Sequence, residues 1–169
     1  MNRITQRLLV FFAIPAMFVI LSGGCRKSLN EFSFSYSMES VNYYKTAVSF
    51  YGNKTWKIET HNYYMDNHAG KREPAIREGT LTEEEYKTLK TLLTKCNFSK
   101  VEDSYGFDKD AGEYIDDLLI YQVHFQTPEK NKFISIRALG NHTYPLPFIN
   151  LLIYVNTFLE EHKEFARED

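Results

Sequence analysis

The chain has 169 residues, with 20 lysines and arginines against 22 aspartates and glutamates and a formal net charge of −2. That balance lacks the excess of positive charge that nucleic-acid binding requires. Its two cysteines are too few for a disulfide-built scaffold, so the fold must be held by packing. With 12 tyrosines and 13 phenylalanines, the composition favours β-sheet.

Residues 1–24 read as three zones. Met1 to Arg7 is polar and carries Arg3 and Arg7 with no acid; Leu8 to Leu21 is apolar except for Pro15; Ser22, Gly23 and Gly24 are small. A charged start, a short apolar core and a small-residue exit make a secretory signal peptide. The apolar core is 14 residues long, short of the roughly 20 that span a bilayer as a helix. An uncleaved anchor helix is the alternative.

The stretch Leu21-Ser22-Gly23-Gly24-Cys25 resembles the lipobox of bacterial lipoproteins. That resemblance implies a diacylglycerol on the Cys25 thiol, cleavage just before it, and acylation of the new amino terminus. Ser22 stands where the usual lipobox has Leu, and Leu21 lies one place further off. Ordinary cleavage after Gly24 is the alternative. Two or more acyl chains give stable anchoring where one gives only marginal binding. Arg26 and Lys27 follow the cysteine and suit anionic headgroups. By the same resemblance, the lack of acids directly after Cys25 implies an outer-membrane position facing the periplasm. Beyond residue 24 the chain holds 18 basic and 22 acidic residues.

Phe32 to Met38 alternates aromatic and serine positions, as a half-buried strand does. Tyr43–Tyr51 and Lys54–Tyr64 read as a hairpin around Gly52-Asn53, with Gly52 expected at positive φ. Met65 to Pro74 is a polar loop and Ala75–Leu81 a short strand. Thr82-Glu83-Glu84-Glu85 is a capping box, followed by Tyr86, Leu89, Leu92, Leu93 and Cys96 at helical spacing. Cys96 closes that stripe as a core residue. Phe98 to Ile115 is an acidic connection. Asp116–Gln126 and Lys132–Leu139 form a second hairpin, with Leu119, Tyr121, Val123, Phe125, Ile134, Ile136 and Ala138 inward. A final helix begins near Pro147, with Phe148, Leu151, Leu152, Val155, Phe158 and Leu159 on its apolar face.

The expected fold class is α+β: an antiparallel sheet with two helices on one face, a two-layer sandwich in the order strands, helix, strands, helix. The expected organisation is a signal peptide at 1–24, a lipidated tether at 25–31, one domain at 32–165 and a frayed tail at 166–169.

The hairpin Val48 to Trp56, the run Glu78-Gly79-Thr80-Leu81-Thr82-Glu83-Glu84-Glu85 and the Phe98–Tyr105 link resemble a family of small envelope lipoproteins of unknown function, over residues 43–163. The resemblance implies a β-hairpin, a helix, a second hairpin and a helix. It implies no activity.

Candidate chemistry is sparse. Asp108, Asp110, Asp116 and Asp117 suggest an irregular calcium loop, but Glu113 and Leu119 stand where an EF-hand needs Gly and Glu. His61 and His68 flank Asp66 without forming a metal motif. His124, His142 and His162 belong to none either. Tyr105, Phe107 and Tyr114 form the candidate partner surface, with Tyr43 and Tyr63 of similar character; packing under the 98–115 loop explains them equally well. No catalytic residue, metal ligand or cofactor is assigned. The leading expectation is a membrane-anchored, non-enzymatic module for an envelope protein or glycan, with no nucleic-acid partner. The alternatives are a small hydrolase or metal-dependent enzyme built on the acidic 102–117 loop, and an inhibitor or protective protein.

Overall fold

The computed structural model describes residues 29–40, 43–63, 73–107, 119–137 and 142–163. The signal peptide, Cys25, His68, Asp66, Tyr114, the 108–117 acids and Ala138 lie outside them. The described residues form a mixed α+β fold with one seven-stranded sheet and two helices. The strands are β1 (Ser33–Ser40), β2 (Tyr44–Tyr51), β3 (Thr55–Asn62), β4 (Ala75–Thr80), β5 (Ser104–Tyr105), β6 (Leu119–Gln126) and β7 (Asn131–Arg137). Helix α1 (Glu83–Lys95) follows β4, and α2 (Leu146–Lys163) follows β7. The strands are ordered β4-β3-β2-β1-β6-β7-β5. No described helix is long and apolar enough to cross a membrane.

Alternation along each strand places one row of apolar side chains directly across from the next. Gly79, Trp56, Phe50, Phe34 and Phe125 are successive cross-strand partners, as are Ile58, Val48, Tyr36, Val123 and Ile134. Phe34, Phe50, Val48, Val123 and Ile134 are completely buried, and each contributes on the order of 1.5–3 kcal/mol. The other face of the central strands carries Ser33, Ser35, Ser37 and Ser49. α2 adds Phe148, Leu151, Val155, Phe158 and Leu159 to the core. Phe158 meets Phe50 at 5.0 Å and Trp56 at 5.5 Å, both edge-on. The Trp56 indole lies against Gly79, where an added Cβ would come within 2.4 Å of the ring.

The expected hairpin is present, but its turn differs. Gly52, Asn53 and Lys54 form a three-residue loop closed by the Lys54 amide donating to Tyr51 O at 3.0 Å. Lys54, with φ of 72°, takes the left-handed conformation expected of Gly52. Such a conformation costs a side-chain-bearing residue about 1–2 kcal/mol. It is held by docking: Lys54 O accepts from the Leu81 amide at 2.8 Å, and its ammonium pairs with Glu83. Gly52 answers to a different demand. A Cβ there would lie 2.2 Å from the carbonyl oxygen of Asn30, because the incoming chain crosses directly over it.

The capping box forms as the sequence implies. Thr82 Oγ1 accepts from the Glu85 amide at 3.3 Å, and the Glu85 carboxylate accepts from the Thr82 amide at 2.7 Å. The expectation of a wholly antiparallel sheet is corrected at its edge. Inside the 98–115 connection, a 3-10 turn at Phe98–Lys100 leads into β5, which pairs parallel to β7. The chain reaches β5 from the end where β7 begins and so runs alongside it. Phe98, Val101 and Tyr105 are buried there at the i, i+3, i+7 spacing of a helix, although the chain forms a 3-10 turn and a two-residue strand.

Candidate functional site

β1 runs about 24 Å from Ser33 to Ser40 at 3.4 Å per residue, and its two ends differ in chemistry. The far end gathers Ser40, Tyr44, Asn62 and Leu119 into one cross-strand row. Beside it, Tyr105 and Tyr144 meet at 4.7 Å, His142 lies 6.2 Å from Tyr105, and Tyr36 stacks on Tyr121 at 6.0 Å. Burial pushes the Tyr36 hydroxyl up to about 12, and that hydroxyl donates to Asn156 Oδ1 at 3.1 Å. Burial also raises Tyr121 and Tyr144. At neutral pH these phenols are neutral groups that stack and hydrogen-bond. Exposed apolar side chains at this end of the sheet are Tyr43, Tyr44, Phe107 at 42 % and Leu146 at 67 %.

The expected partner surface divides. Phe107 is exposed as expected. Tyr105 is only 6 % exposed, and its hydroxyl accepts from the Glu102 amide at 3.1 Å. It is a core residue, because β5 turns its ring inward beside Ile136. Tyr114 lies outside the described residues. Tyr44 and Leu146 are additions that sequence reasoning missed. Tyr44 has the strand parity of Val48 and Phe50, and only its place at the end of β2 leaves it uncovered.

The expected ligand clusters do not assemble among the described residues, where no group of three His, Cys, Asp or Glu side chains converges on a metal position. His61 stacks on Tyr63 at 5.8 Å. His124 shares a 2.6 Å hydrogen bond with Asn131, and His162 stacks on Phe158 at 4.0 Å. Of the acidic connection, Asp103 pairs with Lys132 across to β7.

At the near end the incoming chain is fastened down. The Gly52 amide donates to Phe32 O at 2.9 Å, Phe32 stacks on Tyr86, the Tyr86 hydroxyl donates to Gly52 O at 2.6 Å, and Lys90 donates to Asn30 Oδ1 at 3.3 Å. Leu29 packs against the core. Beside this strap is a groove of about 650 Å³, with Leu29, Leu93, Cys96, Phe98 and Phe125 among its apolar lining and Asn30, Asn97, Thr127 and Lys130 among its polar lining. Three distant stretches of chain build it, so no local pattern announces it. Cys96 is 4 % exposed, and burial pushes its thiol up to about 12. It is an inert core thiol, as its place in the helical stripe implies.

No protein-family model matches the chain, and no curated protein matches it. The likeness of residues 43–163 to small envelope lipoproteins rests on the quoted motifs alone.

Proposed function

We propose that the protein is a lipid-anchored envelope protein, tethered through Cys25 to the outer membrane on its periplasmic side, and that it works as a non-enzymatic module for a protein partner. The observation that carries this reading is the placement of exposed Tyr43, Tyr44, Phe107 and Leu146 at the end of the sheet opposite Leu29, where the chain comes in. Tyrosine and phenylalanine are enriched in interaction surfaces. A two-layer arrangement, with both helices on one face of the sheet, belongs to the same reading. Its support is that Phe158 of α2 meets Phe50 at 5.0 Å while Phe98, just past α1, stacks on Phe125 at 4.3 Å. Phe50 and Phe125 are in one cross-strand row.

Two experiments test the proposal. Cys25→Ser moves the protein from the membrane to the soluble fraction; firm attachment of the variant removes the lipid anchor from the account. Affinity capture from detergent-solubilised envelopes recovers one protein with the wild type and loses it with Tyr44→Ser/Phe107→Ser. Capture that survives the double variant, or recovery of a glycan alone, overturns the protein-partner reading.

A further inference from the structure

The face of the sheet turned away from the core has an organisation of its own. Ser35 and Ser37 stand on it along β1. Their cross-strand partners are Ser49 and Ala47 on β2, and His124 and Gln122 on β6. None of these residues belongs to the core cluster. The middle of the face is therefore a floor of short side chains, with longer ones on either side. Lys57 and Glu59 stand across from Ser49 and Ala47, and Phe133 stands across from His124.

Three features of this face point to a ligand. Two large rings stand out from a polar surface, with Tyr51 38 % and Phe133 51 % exposed. β1 and β6 lie between the strands that carry them, which sets the rings about 14 Å apart across the sheet. Next, Ser37 is only 9 % exposed, yet its side chain makes no hydrogen bond among the described residues. A hydroxyl sunk that deep is ordinarily paired, so its partner has to arrive from the open side. The side chains of Ser35, Ser49 and Gln122 are equally unengaged. Finally, the charges beside the floor cancel: Lys57 pairs with Glu59 at 2.6 Å and Lys45 with Glu39 at 3.3 Å. A ligand that complements this face is neutral, has flat apolar faces for the rings, and carries groups that both donate and accept, as serine hydroxyls do.

We propose that this face binds a neutral, β-linked polysaccharide strand. A pyranose ring has a C–H face that lies flat on an aromatic ring and hydroxyls around its edge. A β-linked chain runs extended and can lie along a flat floor from Tyr51 to Phe133, whereas an α-linked chain coils away from it. This site is separate from the far-end surface of Tyr44 and Phe107 and does not depend on the Cys25 anchor.

The test uses the full chain in detergent with cellotetraose and chitotetraose, both β-linked, and with α-linked maltotetraose. Calorimetry is expected to show saturable binding of at least one β-linked tetramer and none of maltotetraose. Tyr51→Ala/Phe133→Ala is expected to weaken that binding about tenfold or more through the loss of both ring contacts, while Tyr44→Ser/Phe107→Ser leaves it unchanged. Tyr51 and Phe133 are exposed, and an unchanged urea midpoint shows that their variant is folded. On the wild type, where no variant has to fold, the bound tetramer is expected to slow hydroxyl-radical oxidation of Tyr51 and Phe133 and leave Tyr44 unprotected. Failure of both β-linked tetramers to bind overturns the proposal, as do equal binding of maltotetraose, full binding by Tyr51→Ala/Phe133→Ala, and protection at Tyr44 in place of Tyr51 and Phe133.

Discussion

The two ends of the sheet are closed by different means. At the end where the chain comes in, backbone groups carry the closure: Gly52 donates to Phe32, Lys54 accepts from Leu81, and Thr82 and Glu85 cap α1. At the other end, rings close on rings, with Tyr105, Tyr144 and His142 clustered together, and Tyr43, Tyr44 and Phe107 are exposed. Backbone closure tolerates little change of shape, because a hydrogen bond or a missing Cβ has one geometry. Ring packing leaves outer faces free to meet something else. The near end holds the incoming chain in one position, and the far end has surface to spare.

The comparison breaks most visibly through two phenylalanines. Phe50→Ala empties a fully buried site beside Phe34 and Phe158 and is expected to cost about 3–5 kcal/mol, read as a lower urea midpoint at unchanged slope. Phe107→Ser at the far end is expected to stay within about 0.5 kcal/mol of wild type. A large loss at Phe107 would make the far end part of the core.

Next in size is an alkaline weakness at the near end. The Cys96 thiol is raised from 9.0 to about 12 in the fold, so the folded state holds its proton where the unfolded chain gives it up. Its contribution is complete below pH 9.0 and is lost as pH rises toward about 12. The tyrosines Tyr36 and Tyr154 add the same trend from pH 10.0 upward. Between pH 9.0 and 10.0 the wild type should lose stability faster than Cys96→Ala in urea titrations. Parallel curves would mean that the thiol ionises freely.

Gly52→Ala should cost about 1–3 kcal/mol, since the new Cβ falls 2.2 Å from a backbone oxygen and the strap must lift. Hydrogen exchange should speed at the Gly52 amide and stay unchanged at Tyr121. Uniform acceleration would show the two ends to be one unit. The smallest effect is at the cap. Thr82→Ala is expected to cost about 1 kcal/mol. The Thr82 hydroxyl and amide hold the Glu85 carboxyl below its usual 4.5, against the opposing effect of burial. That stabilisation is present above pH 4.5 and fades as pH falls through the lowered value, so the difference between variant and wild type should shrink in acid.

Much of the near end was legible because its rules are local. Thr82 and Glu85 announce a cap, the serine alternation announces β1, and Cys96 completes a helical stripe. Two asparagines make local turns with the residue two places on: Asn53 Oδ1 accepts from the Thr55 amide at 3.1 Å, and Asn97 Oδ1 from the Ser99 amide at 3.3 Å. The role of Gly52 was not legible, since it depends on a chain crossing from residue 30. The inward turn of Tyr105 was not legible for a related reason, although packing was one of its two readings. A two-residue strand has no alternation to read, and its inward turn is decided by β7, some thirty positions later. The groove shares this property, being assembled from residues 29–31, 93–98 and 125–130.

The borders of the sheet carry a last consequence. β5 is two residues long, and β4 turns Arg77 toward the Ile58 side, where its guanidinium donates to His162 O. Short outer strands and inward-turned charges deny a neighbouring chain the open ladder of amides and carbonyls it would need to extend the sheet. Copies of the domain at high concentration can therefore meet repeatedly without fusing edge to edge into aggregates.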